Sequence, residues 1–389
     1  MPGRECGLRP VSSHPTEDSM NHELNQKTVQ SLAAKSAAPA GLATTVGLDA
    51  FVDEIIRVVD HRESVSQYRA MERIQQVGTR IIEASGQSTN LELVVDRIKL
   101  GGNGPIMANA LAALGADVTC IGPLGENGIH PAFAEIAARA NLVSLGPPAH
   151  TDALEFDDGK LMLGKLEPLS VIDWEHLRGA IGDELIGTYF ASPSLLALVN
   201  WTMIPAMSAI WTELLRLFGT TGRAAGMFFF DLADPEKHTD KAVAAACKLL
   251  AKFQEFGPTV LGLNEKEAYR VGKCLGYDGG AYSRDDLHEV TAYISKTLPV
   301  ETVVVHPRAY AVTASQGQIT GDVDGPFTEV PKISTGAGDH FNAGFCLAKL
   351  LALPDDQALT VATGTSGYYV RNAESPTFAQ LTEFLAQQQ

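Results

Sequence analysis

The stretch Glu329–Ala352, "EVPKISTGAGDHFNAGFCLAKLLA", places a group of small residues between a strand-like run and a helix-like run. The pattern predicts a strand ending near Ile333, a loop over Ser334–Gly338 and then a helix. Glycines allow a tight turn that points several backbone N–H groups at one spot, and the helix dipole adds positive potential there. The sequence therefore predicts an anion-binding turn at the start of this helix.

Asp339 stands at the start of the predicted helix. An aspartate in this position is commonly an N-cap and nothing more. A cap does not require the small residues Gly336, Ala337 and Gly338 beside it. A carboxylate at the mouth of an anion site can instead accept a proton from an attacking hydroxyl. The residues alone leave both roles open.

Composition and charge exclude several classes of protein. The 389 residues include 30 Lys and Arg against 46 Asp and Glu, giving a net charge of -16. Such a surface repels the phosphates of DNA and RNA, so we expect no nucleic-acid partner. The 5 cysteines are scattered and predict neither a disulfide framework nor a zinc site. We expect a cytoplasmic protein.

The N-terminal region and the most apolar stretch bear on domain organisation and membrane binding. Residues 1–44 are rich in Ser, Ala, Pro, Glu and His, which predicts a flexible extension before a domain over 45–389. The run Leu195–Trp211 is apolar but shorter than the roughly 20 residues of a membrane span. We expect a buried helix pair there and no membrane partner.

From Thr45 onward, short β-type runs alternate with helical patterns. The strand-like runs are the start of "LATTVGLDAFVDEII", then "DVTCIGPLG", "GMFFFDLA", "PTVLGLN", "ETVVVHP" and "YAVTAS". Helical spacing is found in "GPIMANALAALG", "HPAFAEIAARAN", "HTDKAVAAACKLLAKFQEFG" and "NEKEAYRVGKCLG". This alternation predicts an α/β fold whose mostly parallel sheet is covered by helices on both faces, with ligands at the carboxyl ends of the strands.

Two segments interrupt the alternation and predict a small β lid. Residues 54–99 show a charged helical pattern followed by the alternating run "LELVVDRIKL". Residues 150–167 are alternating again, with a turn at Asp158-Gly159 that suits a hairpin. A hairpin alone is marginally stable, so we expect these segments to form one small sheet over the main domain.

The glycine-rich turn resembles the C-terminal signature of the ribokinase-like (PfkB) carbohydrate kinases. The similarity covers Gly336-Ala337-Gly338-Asp339 and the following Phe341–Phe345. It implies a three-layer α/β/α fold and transfer of a nucleotide's terminal phosphate, with Asp339 as general base. It also implies that the amides of Gly336, Ala337 and Gly338 stabilise the transferred group. The nucleotide side would include Thr335, Gly336, Gly338 and Asn342.

Two further stretches resemble the same family and imply the sugar site. Leu100–Asn127, "LGGNGPIMANALAALGADVTCIGPLGEN", is similar to the N-terminal signature, in which a glycine pair precedes an Ala-rich helix. This resemblance places Gly101, Gly102 and Asn103 against the sugar. "VGLDAFVDEII" is similar to the first strand, in which an acidic side chain binds sugar hydroxyls. Asp53 is the first candidate for this role and Asp49 the second.

Asn264 and Glu267 in "GLNEKEA" resemble the N-x-x-E motif of these kinases. The pattern alone says little, because helix starts favour both residue types. In its place between the glycine signatures it implies that Asn264 and Glu267 serve the nucleotide, with Glu267 acting through water on Mg²⁺. The resemblance thus implies Mg²⁺ as cofactor, ATP as donor, and sugar and nucleotide as small-molecule partners. It also allows a homodimer formed through the lid.

Several positions depart from the family pattern. Ile333 and Ser334 stand where relatives carry Asp and Thr, so an acidic group that helps to build a monovalent-cation site there is missing. His306–Val312 replaces the Thr-x-Gly-x-x-Gly stretch beside the nucleotide, and Ile106 replaces a common Asn. A similarity to ADP-dependent sugar kinases is carried by "GGNGPIMAN", by the spacing of Asp49 and Asp53, and by the stretch His306–Tyr310. ADP as donor, a nucleoside acceptor, and a binding protein without efficient transfer therefore stay as alternatives.

Other function classes and residues receive less weight. No complete G-x-G-x-x-G follows the first strand and no G-x-x-x-x-G-K-[ST] occurs, which disfavours a dehydrogenase and a P-loop enzyme. His306 and His340 flank the predicted site, but neither has a Cys or carboxylate partner at ligand spacing, so we expect structural roles. The stretch Asp231–Asp234 ends a strand, and the sequence does not decide whether it faces the site.

Overall fold

The computed structural model describes residues 17–388, with side chains from residue 22 onward. The strands in chain order are β1 (Ala43–Gly47), β2 (Phe51–Arg62), β3 (Tyr68–Ala70), β4 (Leu93–Gly101), β5 (Asp117–Gly122), β6 (Asn141–Ser144), β7 (Ala149–Phe156), β8 (Gly159–Lys165), β9 (Leu195–Val199), β10 (Phe228–Asp231), β11 (Thr259–Asn264), β12 (Thr302–His306), β13 (Tyr310–Ser315) and β14 (Gln318–Asp324).

The α-helices surround these strands. In chain order they are α1 (Glu17–Ala34), α2 (Ile74–Glu83), α3 (Asn103–Ala113), α4 (Ala134–Ala137), α5 (Glu167–Ser170), α6 (Trp174–Ile181), α7 (Asp183–Ala191), α8 (Met207–Thr221), α9 (Asp240–Leu250), α10 (Glu265–Leu275), α11 (Arg284–Thr297), α12 (Ala337–Leu350), α13 (Asp355–Asn372) and α14 (Phe378–Gln387).

A large sheet forms the centre of the protein. Its 9 strands lie in the order β14-β13-β12-β11-β10-β9-β1-β5-β6. From β6 to β12 every neighbouring pair is parallel, while β13 and β14 form an antiparallel edge. The predicted α/β fold with a mostly parallel sheet is confirmed. The strands predicted from the sequence correspond to β1, β5, β10, β11, β12 and β13.

Helices cover both faces of this sheet, so its central strands are apolar on both sides. In β9, Leu196 and Leu198 pack in the core formed with α6 to α11. Leu195, Ala197 and Val199 pack in the second core, with α1, α3, α12, α13 and α14. Of the helix pair predicted over Leu195–Trp211, the first helix is therefore wrong, whereas the end of the run is helical because α8 begins at Met207. A short, continuously apolar run fits a strand buried on both faces as well as it fits a helix.

The smaller sheet is formed by the two segments that were predicted as a lid, and it is called the lid below. Strand β2 pairs with β4 and β3 on antiparallel ladders and with β7 on a parallel one, and β7 continues into β8 as a hairpin. Helix α2 closes a small apolar cluster that includes Ile56, Val77 and Leu154. The hairpin turn is formed by Asp157 and Asp158, one position earlier than predicted. The lid thus has a core of its own.

Residues 54–62 differ from the helical pattern that we expected at the start of the lid. They continue β2, which runs without a break from Phe51 to Arg62. The apolar positions Ile55, Ile56, Val58 and Val59 have a spacing that fits a helical face. They are β-branched, however, and such side chains favour a strand with neighbours on both edges.

The structure also differs from the predicted flexible extension. Residues 1–16 lie outside the described part of the chain, but Glu17–Ala34 forms α1. The side chains of Thr28 and Leu32 are fully buried, and Leu32 belongs to the core that α13 and α14 share. This segment is therefore a helix of the domain. Its few apolar residues are widely spaced, so its sequence showed no strong helical face.

The loop before α12 is longer than predicted. Strand β14 ends at Asp324, and no strand reaches Ile333 among the described residues. Instead, the amide of Lys332 donates to the carbonyl of Val370 in α13 at 2.8 Å. The β-like run "EVPKIS" is therefore bonded to α13 at Lys332 and does not join a strand. None of the helices within residues 17–388 is long and apolar enough to cross a membrane.

Docking of α1 is testable by truncating its buried leucine. Leu32→Ala is expected to lower the free energy of unfolding by about 2–5 kcal/mol, because it leaves a cavity in the core. The exposed neighbour Gln30 provides the control, and Gln30→Ala is expected to change stability by less than about 0.5 kcal/mol. Urea unfolding followed by circular dichroism measures both. Equal values for the two variants would contradict the packing of α1.

Candidate active site

Polar side chains gather at the carboxyl ends of the parallel strands, where open α/β sheets bind ligands. Each of five neighbouring strands ends in one: Asp49 follows β1, Asn200 follows β9, and Asp231, Asn264 and His306 are the last residues of β10, β11 and β12. The N-terminus of α12 reaches the same edge, since Gly338 packs on the ring of His306. This edge is the candidate site.

Asp49 is fully buried and holds the start of α3. Its carboxylate accepts the backbone N–H groups of Asn103 at 2.9 Å and Gly104 at 2.8 Å. The side-chain amide of Asn200 donates a third bond at 2.7 Å. Burial nevertheless raises the pKa of Asp49 to about 6. Because both of its carboxylate oxygens already accept hydrogen bonds from the protein, Asp49 supports the start of α3 and is a weaker candidate for binding a sugar.

Glycines make room for the two acidic side chains. Gly102 has a φ of +92°, and a Cβ at Gly104 would lie 2.9 Å from Asp49 Oδ1. A Cβ at Gly101 would collide with the carboxyl group of Asp53. The glycine pair predicted to line the sugar site therefore lies between Asp49 and Asp53, which brings these predicted residues together.

Asp53 belongs to the lid and is only 5% exposed. In the lid sheet, Lys99 lies opposite it on β4 and Thr151 opposite it on β7. Burial raises the pKa of Asp53, and Lys99 and Thr151 act in the opposite direction. Unlike Asp49, Asp53 has no backbone amide among its partners. Its carboxylate is the better candidate for binding hydroxyl groups.

Asp339 lies in the first turn of α12, directly after the glycine turn. Gly336 takes the N-cap position with a φ of +90°. Asp339 Oδ1 accepts a hydrogen bond of 2.9 Å from the side chain of Asn103. Burial raises the pKa of Asp339 to about 8; the charges of Asp49 and Glu267 add to the rise, and Asn103 opposes it. An acid poised near neutral pH is suited to proton transfer.

The remaining residues of the glycine turn have defined partners. The amide of Ala337 donates to the carbonyl of Ser334 at 3.2 Å, so this predicted anion-binding group is already engaged within the turn. The carbonyl of Thr335 accepts the hydroxyl of Tyr369 at 2.9 Å. Gly338 has only the His306 ring near its missing side chain. Its amide lies in the first turn of α12, where backbone N–H groups lack helical partners.

Asn264 and Glu267 form a reciprocal cap at the start of α10. Glu267 N–H donates to Asn264 Oδ1 and Asn264 N–H donates to Glu267 Oε2, both at 2.9 Å. Glu267 Oε1 accepts the amide of Asp234 at 2.8 Å. Burial raises the pKa of Glu267 in spite of these bonds. Both carboxylate oxygens of Glu267 thus accept backbone N–H groups. A metal would contact this side chain through the remaining lone pairs of the same oxygens.

Asp231, whose orientation the sequence left open, belongs to the same group of carboxyls. It accepts the amide of Ala233 and the side-chain amide of Asn342, both at 2.8 Å. Burial, together with the charges of Glu267 and Asp339, raises its pKa well above the ordinary value. Asn342, predicted on the nucleotide side, is buried and directed at Asp231. Asn342 therefore supports the site by holding the carboxylate of Asp231.

Comparison with known proteins gives a family to this arrangement. The sequence model of the prokaryotic ketohexokinase family matches residues 20–388. The chain belongs to this family. A curated ketohexokinase from Haloferax volcanii is 27% identical over 342 residues, which are 87% of this chain and 89% of that protein. The predicted carbohydrate kinase activity, a phosphotransfer to an alcohol acceptor, is thereby confirmed.

Solved structures agree with this family in fold. A carbohydrate kinase from Agrobacterium tumefaciens superposes with a TM-score of 0.59 at 15% identity, covering 88% of this chain and 97% of that one. Escherichia coli phosphofructokinase-2 in complex with fructose-6-phosphate gives a TM-score of 0.54 at 12% identity, covering 89% and 98%. The ribokinase-like fold predicted from the sequence is confirmed.

The site contains one residue that the sequence did not single out, Asn200, and two histidines for which the sequence predicted structural roles. Asn200 holds Asp49, and its own strand β9 was not recognised, so its place at a strand end was hidden. His306 packs on Phe341 with ring centroids 4.6 Å apart, and burial lowers its pKa to about 4. His340 is buried as well, and its pKa is likewise lowered to about 4. Both rings are neutral, in line with structural roles.

The donor set fits a magnesium ion held mostly through water. Within residues 22–388, no three His, Cys, Asp or Glu side chains are placed to hold a metal directly. Burial is the main cause of the raised pKa values of Asp231, Glu267 and Asp339, and the charge of Glu267 adds to the rise at both aspartates. A cation bound nearby would offset these effects. Mg²⁺ typically keeps several waters and takes only one or two carboxylates. Asp231, Asp339 and Glu267 are the residues that would face it.

The raised pKa of Asp339 predicts a stabilising effect of Asp339→Asn. The unfolded carboxyl ionises near 3.8, whereas the folded one ionises near 8. Between these values folding takes up a proton, so wild-type stability falls as pH rises, by up to about 1.4 kcal/mol per unit. Asparagine does not titrate. Urea unfolding at about pH 5 and pH 8 should therefore show a stability gain that is larger at pH 8; a gain larger at pH 5 would contradict the assigned pKa.

Proposed function

We propose that this protein transfers the terminal phosphoryl group of ATP to a primary hydroxyl of a ketohexose, with Asp339 as general base. The observation that carries the proposal is the placement of one buried carboxyl, with a pKa of about 8, in the first turn of α12 directly after a glycine turn. The ketohexose acceptor rests on the family of the chain and on the name of the Haloferax volcanii relative.

The acceptor binds beneath the lid. Asp53 supplies a buried carboxylate for hydroxyl groups, and the missing side chain of Gly101 makes room for this carboxylate. Asn103 connects this side of the site to the base through its bond to Asp339 Oδ1. A hydroxyl held between Asp53 and Asp339 has an acceptor for its proton at hydrogen-bond distance. The lid excludes water, which favours transfer to the sugar over hydrolysis.

The phosphoryl group is received at the start of α12. Phosphoryl transfer depends on positioning and on stabilisation of charge more than on covalent steps. The helix N-terminus and the amides of the turn, Gly338 among them, supply positive potential where negative charge develops. Mg²⁺, when bound with the nucleotide, neutralises charge on the phosphates. Asp339 takes the hydroxyl proton as the oxygen attacks phosphorus.

A substrate panel tests the activity. Ketohexoses, aldohexoses and nucleosides are offered with Mg²⁺ and either ATP or ADP, and nucleotide turnover is measured. We expect the highest kcat/KM for a ketohexose with ATP. Turnover with ADP but not with ATP would show that ADP is the donor. A preference for a nucleoside would show that the acceptor is a nucleoside and not a ketohexose. Measurable sugar binding without turnover for any pair would favour a binding protein.

Removal of the base tests the mechanism. Asp339→Asn is expected to lower kcat by about 10²–10⁴-fold, because the hydroxyl loses its proton acceptor. The dissociation constant of the sugar should change little, since Asn103 can still donate to the retained side-chain oxygen. Asp285→Asn, at an exposed position in α11, is the control and should leave kcat unchanged. Full activity of Asp339→Asn would refute the assignment.

The pH profile gives a second test of the base. Asp339 must be ionised to accept a proton, and its pKa in the free protein is about 8. The value of kcat/KM should therefore rise with pH and level off above about pH 8. A profile that is flat from about pH 6 to about pH 9 would exclude Asp339 as the titrating base.

A further inference from the structure

Two adjacent carbonyls of the glycine turn are held by side chains to which the mechanism above gives no task. His340 Nδ1 lies 2.8 Å from the carbonyl oxygen of Gly336. The hydroxyl of Tyr369, in α13, donates to the carbonyl oxygen of Thr335 at 2.9 Å. The two rings stack with centroids 3.6 Å apart and planes 14° apart. His340 and Tyr369 thus form one support, here called the ring pair.

The hydrogen bonds around His340 have only one consistent direction. Because the Gly336 carbonyl can only accept, Nδ1 carries the proton. A neutral imidazole has one N–H, so Nε2 is an acceptor, and the hydroxyl of Ser375, 2.8 Å away, donates to it. The Ser375 oxygen in turn accepts the side-chain amide of Asn109 at 3.3 Å. This chain of donors selects the Nδ1–H tautomer.

Holding the carbonyls fixes the direction of the amides. A trans peptide unit is planar, and its N–H points away from its C=O. Since the carbonyls of Thr335 and Gly336 are directed at the ring pair, the N–H groups of Gly336 and Ala337 are directed away from it. The Ala337 N–H donates to the carbonyl of Ser334 within the turn, so the Gly336 N–H is the one left to meet a ligand. Gly336, with a φ of +90°, has no side chain to restrict the turn. Hydrogen bonds to the two carbonyls therefore supply much of the constraint. At Gly336 the His340 ring adds to the backbone N–H of His340, which donates to this carbonyl at 3.1 Å, and at Thr335 the donor is the Tyr369 hydroxyl.

We propose that His340, as its Nδ1–H tautomer, and Tyr369 are positioning residues for phosphoryl transfer, because they orient the peptide units of the turn that receives the phosphoryl group. The inference rests on the proposed function, since it concerns the same turn. The acceptor is bound elsewhere, by Asp53, Gly101 and Asn103. Loss of the ring pair's hydrogen bonds should therefore lower kcat and leave the KM of the acceptor nearly unchanged.

Two matched substitutions of His340 separate its two nitrogens. Asparagine places its amide nitrogen close to the position of Nδ1, so His340→Asn can keep the bond to Gly336. Glutamine reaches the position of Nε2, so His340→Gln keeps a contact with Ser375 and loses the donor to Gly336. We expect His340→Gln to lower kcat by about 10–100-fold and His340→Asn to restore most of it. Tyr369→Phe keeps the stacked ring and should lower kcat alone, by a smaller factor.

Melting temperatures of the variants distinguish positioning from folding. Equal melting temperatures of His340→Asn and His340→Gln with unequal kcat support the proposal. Equal losses of kcat in both variants, or a rise in acceptor KM as large as the fall in kcat, would overturn it. If wild type phosphorylates a sugar and His340→Gln matches it, only the positioning role fails. If wild type phosphorylates no acceptor, the proposed function fails.

Nitrogen NMR tests the tautomer without any activity. Wild type and His340→Asn are compared with ¹⁵N in the histidine rings, which assigns the signals of His340 by difference. We expect a protonated Nδ1 and an unprotonated Nε2, because Nδ1 faces the carbonyl of Gly336 and Nε2 faces the hydroxyl of Ser375. An Nε2–H tautomer would overturn the assignment.

Discussion

Burial of several carboxyl groups at one edge of a sheet is the constraint on which this site depends. The four concerned are Asp49, Asp231, Glu267 and Asp339, each at most 7% exposed. Taking a charge out of water costs several kcal/mol unless it is paired or hydrogen-bonded. The protein meets this cost mostly with backbone amides: Asp49 and Glu267 each accept two, and Asp231 accepts one. Asp339 instead accepts the Asn103 side chain, and its pKa stays at about 8, so its protonation state changes close to neutral pH.

The same constraint explains why the signature stretches are rich in glycine. A buried carboxylate needs backbone N–H groups at hydrogen-bond distance, and where the chain passes closest to a carboxylate there is no space for a Cβ. At Gly104, a Cβ would lie 2.9 Å from Asp49 Oδ1, the atom to which the Gly104 amide donates. At Gly101, a Cβ would displace the carboxyl of Asp53. The glycines therefore serve the acidic groups as well as the ligand.

The sequence predicted the parts of the structure in which local pattern and tertiary role agree. The glycine turn before Asp339 and the pair Gly101-Gly102 were recognisable because few other structures need those residues in that order. Residues 54–62 and 195–199 were assigned wrongly, because their strand character comes from neighbours distant in the chain. Helix α1 was missed because its stability comes from packing on α13 and α14 rather than from its own pattern. Glu267 accepts the amide of Asp234, and Asn342 donates to Asp231. These contacts join segments that are distant in the chain, so a single sequence does not reveal them.

Asn103 links the two halves of the site. Its backbone amide donates to Asp49 and its side chain donates to Asp339, so it touches both the acid under α3 and the base on α12. It is also the first residue of α3 and follows β4 of the lid after a single residue, Gly102. Movement of β4 relative to α3 would therefore reach Asn103 through a single residue. Because the Asn103 bond lowers the pKa of Asp339, a change in the position of Asn103 would change the proton affinity of Asp339. A lid that closes on a sugar and keeps this bond short favours the ionised base at the moment when the hydroxyl must lose its proton.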